Sequence, residues 1–198
     1  MVKKGKTPIL SPEETRRILD GIDTTKIVGL RDRALIGVLV FTFARISAAV
    51  SMKVGDVFVQ NDRLWVRLHE KGGKLHTMPC QHNLEADLKA YLGASGRANQ
   101  PKLPLFPTLG RSSEQLTDTP LSRRNALDMV KRRARQAGVK TAICNHSFRG
   151  TGITTYLENG GELEKAAQMA NHASTRTTQL YDRRADEVTL DEVERIII

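Results

Sequence analysis

The chain has 198 residues, enough for one substantial core with a small appended element, and its 39% hydrophobic content is ordinary for a soluble globular domain. An excess of 31 Lys and Arg over 22 Asp and Glu gives a formal charge of +9 and favours a polyanionic partner such as nucleic acid. Two cysteines, Cys80 and Cys144, in neither metal-ligand nor redox spacing exclude a disulfide framework, and no apolar run or leader-like start points to a membrane or to export, so a cytoplasmic protein is expected.

A basic segment over 1–10 leads into Ser11-Pro12-Glu13-Glu14, a cap residue followed by proline at the first helical position, which predicts a helix from about Pro12. Apolar residues from Ile27 through Leu30, Ala34, Leu35, Val38, Leu39 and Val40 predict a long, mostly buried helix to about Phe43, and a short helix over 46–52 follows. From Val57 the pattern turns strand-like. Three runs, 57–59, 64–68 and 75–78, are separated by turns at Asn61-Asp62 and Lys71-Gly72-Gly73-Lys74, which predicts a small antiparallel meander. Helical pattern returns over 83–92, and 94–119, rich in Gly, Pro and Ser, is expected to be loop. Thr119-Pro120-Leu121-Ser122 introduces a basic helix to about Ala137; further helices are expected over 146–158 and 163–170, and Ser174 caps one carrying Tyr181. The fold class is therefore α+β, a mostly helical domain over 11–185 with a three-stranded antiparallel sheet.

Chemistry concentrates near the end of the chain, in His146-Ser147-Phe148-Arg149, then His172, then Tyr181 nine positions on. His146 and Arg149 lie three apart and share one helix face. Arginine offers a planar fork of donors that matches two phosphate oxygens and stays charged. A tyrosine nucleophile can divide strand cleavage and rejoining into two steps through a covalent intermediate. At its ordinary pKa near 10, only about a thousandth of a phenol is ionised at neutral pH, so a base or a strongly positive site must assist it. Taken singly, each of these residues has a plain structural reading; their combination is what points to phosphodiester chemistry.

Four ordered blocks, Phe43-Ala44-Arg45-Ile46-Ser47, Glu70-Lys71-Gly72-Gly73-Lys74, His146 to Arg149, and Met169-Ala170-Asn171-His172 followed by Tyr181, resemble the tyrosine recombinase or phage-integrase family from about Leu10 onward. The resemblance implies that Arg45 and Arg149 clamp a scissile phosphate, with His146 and His172 completing the cradle. It also implies that Lys71 protonates the departing 5′-oxygen and that Tyr181 attacks phosphorus, His146 being the first candidate for its proton acceptor. The implied activity is site-specific cleavage and rejoining of double-stranded DNA with no metal and no cofactor. The implied assembly is a homo-tetramer on DNA, monomeric without it, working in a bacterial-type cytoplasm and at the nucleoid. A topoisomerase-like relaxing enzyme and an inactive DNA-binding module are the alternatives.

Arg124, Lys131, Arg132 and Arg135 on the basic helix, with Lys74 on the turn, are the expected further DNA contacts. The apolar tail over 186–198 is expected to dock on a neighbouring protomer. Two departures from the family stand out. Ala48 occupies the position, three after Arg45, where the family often has a supporting glutamate, so either another acid orients Arg45 or the arginine is less rigidly placed and activity is reduced. The family's N-terminal core-binding domain has no counterpart before the catalytic blocks, so a fragment of a longer protein is expected.

Overall fold

In a computed structural model, residues 5–184 except 71 and 111–114, together with 194, are described. The helices are α1 (Pro12–Asp20), α2 (Ile27–Phe41), α3 (Ile46–Val50), α4 (His82–Ser95), α5 (Arg123–Gln136), α6 (Ser147–Glu158), α7 (Leu163–Met169) and α8 (Thr175–Gln179). The strands are β1 (Val57–Gln60), β2 (Arg63–His69), β3 (Leu75–Pro79), β4 (Pro107–Leu109) and β5 (Leu116–Pro120).

Helix α1 begins where the capping signal puts it. Ser11 Oγ accepts from the Glu14 amide at 3.1 Å while the Glu14 carboxylate accepts from the Ser11 amide at 3.0 Å, which satisfies two otherwise orphaned donors. Helix α2 is apolar on nearly every side, as a central helix must be; Ala34, Leu35, Ile36 and Val38 are fully buried, and α3, α4, α5 and α6 pack around it. Its contact with α6 is intimate. A Cβ placed on Gly152 would stand 2.1 Å from the Val40 carbonyl oxygen, so only glycine fits at the crossing.

Polar groups also enter this core. Asp32 on α2 is fully buried and is met by Arg31, by Arg133 at 2.8 Å and by Arg132 at 3.5 Å. A buried carboxylate without cations would be costly, so this cluster fastens α5 to α2.

The three-stranded sheet runs in the order β1-β2-β3, antiparallel, with Leu64, Val66 and Leu68 of β2 turned into the core at period two. Asn61 and Asp62 both take positive φ, which suits the tight turn between β1 and β2. Gly72 and Gly73, at φ 80° and 76°, make the turn between β2 and β3, and the Glu70 amide donates to the Lys74 carbonyl at 2.8 Å to close it.

The expectation of a loop over 94–119 needs correction: β4 and β5 form an antiparallel ribbon with an irregular register. Their sequences carry prolines and threonines rather than alternating apolar residues, so no strand pattern is legible. The ribbon is held by a Thr108–Thr117 hydroxyl pair at 2.7 Å and by Arg97, which donates to the Leu116 and Thr117 carbonyls. A second correction concerns Tyr181. Ser174 does cap α8, but the helix stops at Gln179 and Tyr181 follows it in a turn.

Candidate active site

The site lies where the start of α3, the β2–β3 hairpin, the start of α6 and the turns flanking α8 converge. Arg45 is the cap residue of α3, and His146 is the cap residue of α6. Arg149, in the first turn of α6, is 3% exposed. Its guanidinium donates to the Phe43 and Ala170 carbonyls and to His172 Nε2, the last at 2.8 Å. Phe43 adopts φ 52°, an uncommon conformation for a bulky residue, which turns its carbonyl toward Arg149 while its ring packs edge-on against Tyr156. Of the five N–H bonds of Arg149, the Nε–H and one on Nη1 remain for a ligand, counting partners among the described residues.

The protonation of His172 follows from these contacts. A guanidinium has donors only, so Nε2 must accept, and the ring proton lies on Nδ1, which donates to Thr178 Oγ1 at 2.8 Å. Burial, then the Arg149 and Arg45 charges, depress the His172 pKa to about 4. Partial loss of solvent, then the same two guanidiniums, also lower that of His146. Both imidazoles are thus neutral near pH 7. The Nε2 lone pair of His172 is occupied by Arg149, so His172 cannot accept a further proton there without giving up that bond.

Tyr181 stacks on His172 of its own chain, ring centroids 6.4 Å apart and planes 12° from parallel. Its carbonyl accepts from Thr154 Oγ1 at 2.9 Å, and its ring lies on α6 so closely that a Cβ on Gly150 would stand 3.0 Å from it. The Arg149 pKa is pushed down to about 10, by burial first and then by Arg45, with Glu70 and Tyr181 acting the other way. Two arginines, two histidines, one carboxylate and one phenol therefore share a single electrostatic neighbourhood.

Arg45, His146, Arg149, His172 and Tyr181 are brought together, whereas Lys71 lies outside the described residues, as does the tail over 186–193 and 195–198. Lys74, three positions after Lys71 in the sequence, lines a cleft of about 500 Å³ with Arg45, Glu70, His69 and Asn171. On α5, Lys131 and Arg135 are exposed and Arg124 is exposed but paired with Asp128 at 2.9 Å; Arg132 is exposed while reaching Asp32. Sequence reasoning missed Glu70, which pairs with Arg45, and Thr178, which sets the His172 tautomer. Neither stands out in sequence, since the partner of Glu70 is 25 residues away and Thr178 is one of several polar residues on a short helix.

Arrangement and topology define a mixed helical domain with an arginine- and histidine-lined tyrosine site. The phage integrase family profile matches residues 8–187, and the chain belongs to that family. It is 28% identical over 180 residues to the tyrosine recombinase XerD of Listeria monocytogenes, covering 90% of this chain and 58% of that protein. The chain thus spans little more than half the length of that relative. Its fold is similar to that of XerA recombinase, with TM-score 0.75 at 23% identity, covering 98% of this chain and 64% of the other. It is also similar to XerH recombinase in a pre-cleavage complex with its difH substrate, with TM-score 0.72 at 20% identity over 97% and 54%. Among the described residues no helix is long and apolar enough to cross a membrane.

Proposed function

We propose that this chain is the catalytic unit of a site-specific recombinase that cleaves and rejoins double-stranded DNA through a 3′-phosphotyrosine bond. The observation that carries the reading is the Tyr181 ring stacked on His172 beside the buried fork of Arg149. In this mechanism the scissile phosphate sits between Arg45 and Arg149, whose fixed charges stabilise the five-coordinate phosphorus. The Tyr181 oxygen bonds to phosphorus as the bond to the 5′-oxygen breaks. The phenol proton passes to His146, and Lys71 gives a proton to the leaving oxygen. Reversal by an incoming 5′-hydroxyl reseals the strand, and because phosphotyrosine conserves the bond, neither metal nor nucleotide is needed.

Stacking within one chain supports cleavage in cis. Lys74, Arg124, Lys131, Arg132 and Arg135 would hold backbone phosphates outside the reacting centre. Assembly on DNA would be a homo-tetramer, with the 186–198 tail seated on a neighbour. An apolar groove of about 1340 Å³ beside α1, α2 and α6, lined by Leu19, Phe41, Met78 and Tyr156 among others, is large enough to receive such a segment. The protein would act in the cytoplasm, at the nucleoid.

The test is trapping on a nicked suicide duplex carrying the site that the full chain selects from a random-sequence pool. Wild type should give a covalent adduct resistant to SDS and Tyr181→Phe none; tight, site-selective binding with no adduct from wild type refutes the enzymatic reading.

A further inference from the structure

We infer that Glu70 is the positioning residue for Arg45, taking the task that Ala48 cannot perform; the inference rests on the strand-cleaving function proposed above. Arg45 needs an acid to hold it, because a long, one-third exposed side chain beside the second guanidinium of Arg149 would otherwise be repelled outward. On its own helix the residue one turn on, Ala48, offers only a buried methyl group. Asp56, the other buried acid near the hairpin, is already engaged by the Lys53 amide at 2.9 Å and by His69 at 2.9 Å.

Glu70 fits on three counts. Its carboxylate pairs directly with Arg45 Nη1 while being 3% exposed, so the acid lies beneath the guanidinium and leaves the outer edge of Arg45 turned to the cleft. Its backbone is fixed by the last rungs of the β2–β3 pairing, Leu68 opposite His76 and His69 opposite Leu75, and by its own bond to the Lys74 carbonyl. Its charge also reaches Arg149, raising that group's pKa against the depressing effect of Arg45. A buried carboxylate is costly without its cation, so withdrawal of Arg45 is opposed and its placement is fixed by the sheet. Glu70 directly precedes Lys71 in the sequence, so the residue that orients one phosphate clamp is the chain neighbour of the proposed leaving-group acid.

The experiment compares Glu70→Gln and Glu70→Asp with wild type, and Glu70→Gln with Arg45→Ala and the double variant, all in the full chain. Single-turnover adduct formation is measured on the nicked duplex described above and on its 5′-bridging phosphorothiolate form. With sulfur as leaving group, the new phosphorus–oxygen bond to Tyr181 forms as the phosphorus–sulfur bond breaks, and the thiolate departs without a proton. Misplacement of a reacting-centre group by about 1 Å lowers rate by roughly 100-fold. Glu70→Gln should therefore lose on the order of 10- to 100-fold in adduct rate on both substrates, with site affinity changed less than about 3-fold.

Glu70→Asp should recover much of the rate, and Glu70→Gln should add little to Arg45→Ala. The inference is overturned by wild-type rates in Glu70→Gln, by fully multiplicative losses in the double variant, or by a loss that vanishes on the sulfur substrate. That last result would assign Glu70 to placing Lys71 alone. If wild type itself forms no adduct, the strand-cleaving function fails, an outcome distinct from wild-type activity with an unaffected Glu70→Gln.

Discussion

Replacing Thr178 with valine keeps the shape of a fully buried side chain and deletes only its hydroxyl. That hydroxyl accepts the Nδ1–H of His172 at 2.8 Å, and this bond fixes the tautomer that lets Nε2 accept from Arg149. Leaving a buried donor without a partner costs about 1–3 kcal/mol. The ring is only partly buried, so a figure near 1.5 kcal/mol is appropriate. At roughly 2–4 °C per kcal/mol for a domain of this size, Tm should fall by about 3–6 °C. The ring would also turn more freely, so adduct formation by Tyr181 should slow by about 10-fold or more. Calorimetry gives the first quantity and suicide-substrate trapping the second, while imidazole ¹⁵N shifts report the tautomer. A Tm within about 1 °C of wild type, with Nδ1–H still the dominant tautomer, refutes the network.

Acid should weaken the fold through the same ring. His172 titrates at about 4 in the folded protein and near 6.5 when unfolded, so between those values the unfolded chain binds more protons and stability falls as pH drops from about 6.5 to 4. His172→Gln should flatten that slope in denaturant titrations. Gly152→Ala should be severely destabilising, because its Cβ would meet backbone 2.1 Å away, whereas Gly150→Ala presses on the flexible end of Ile9 and on the Tyr181 ring. The latter should leave Tm nearly intact while slowing adduct formation, and the reverse ranking would contradict the helix crossing. Lys131→Ala and Arg135→Ala should each weaken DNA binding across sequences and reduce the salt slope by about 1. Arg132→Ala should in addition lower Tm, because that guanidinium reaches buried Asp32.

Local signals were legible wherever the physics is local. The Ser11–Glu14 box, the Asn61-Asp62 turn and the Gly72-Gly73 turn each depend on neighbours in the chain, and each appears where the sequence puts it. The convergence of Arg45, His146, Arg149, His172 and Tyr181 was visible through family resemblance, since spacing alone permits it without requiring it. Glu70 was hidden because its partner lies 25 residues away and an acid beside a turn lysine resembles a solvated charge. The β4–β5 ribbon was hidden because threonine hydroxyls and Arg97, rather than apolar alternation, hold it. Tyr181 escapes its helix because α8 is a single short turn whose last residues are already drawn toward α6 by the Thr154 bond to the Tyr181 carbonyl.

The first described residues are fastened to the last part of the site. The Gly5 amide donates to the Leu180 carbonyl at 2.9 Å, Arg183 returns a bond to the Gly5 carbonyl at 3.1 Å, and Ile9 abuts Gly150 under the tyrosine ring. Tyr181 is therefore moored to the segment leading into the domain, a tether through which tension on that segment reaches the phenol without passing through the core. Trimming those residues would leave every reacting group in place and still cut the line that steadies the tyrosine.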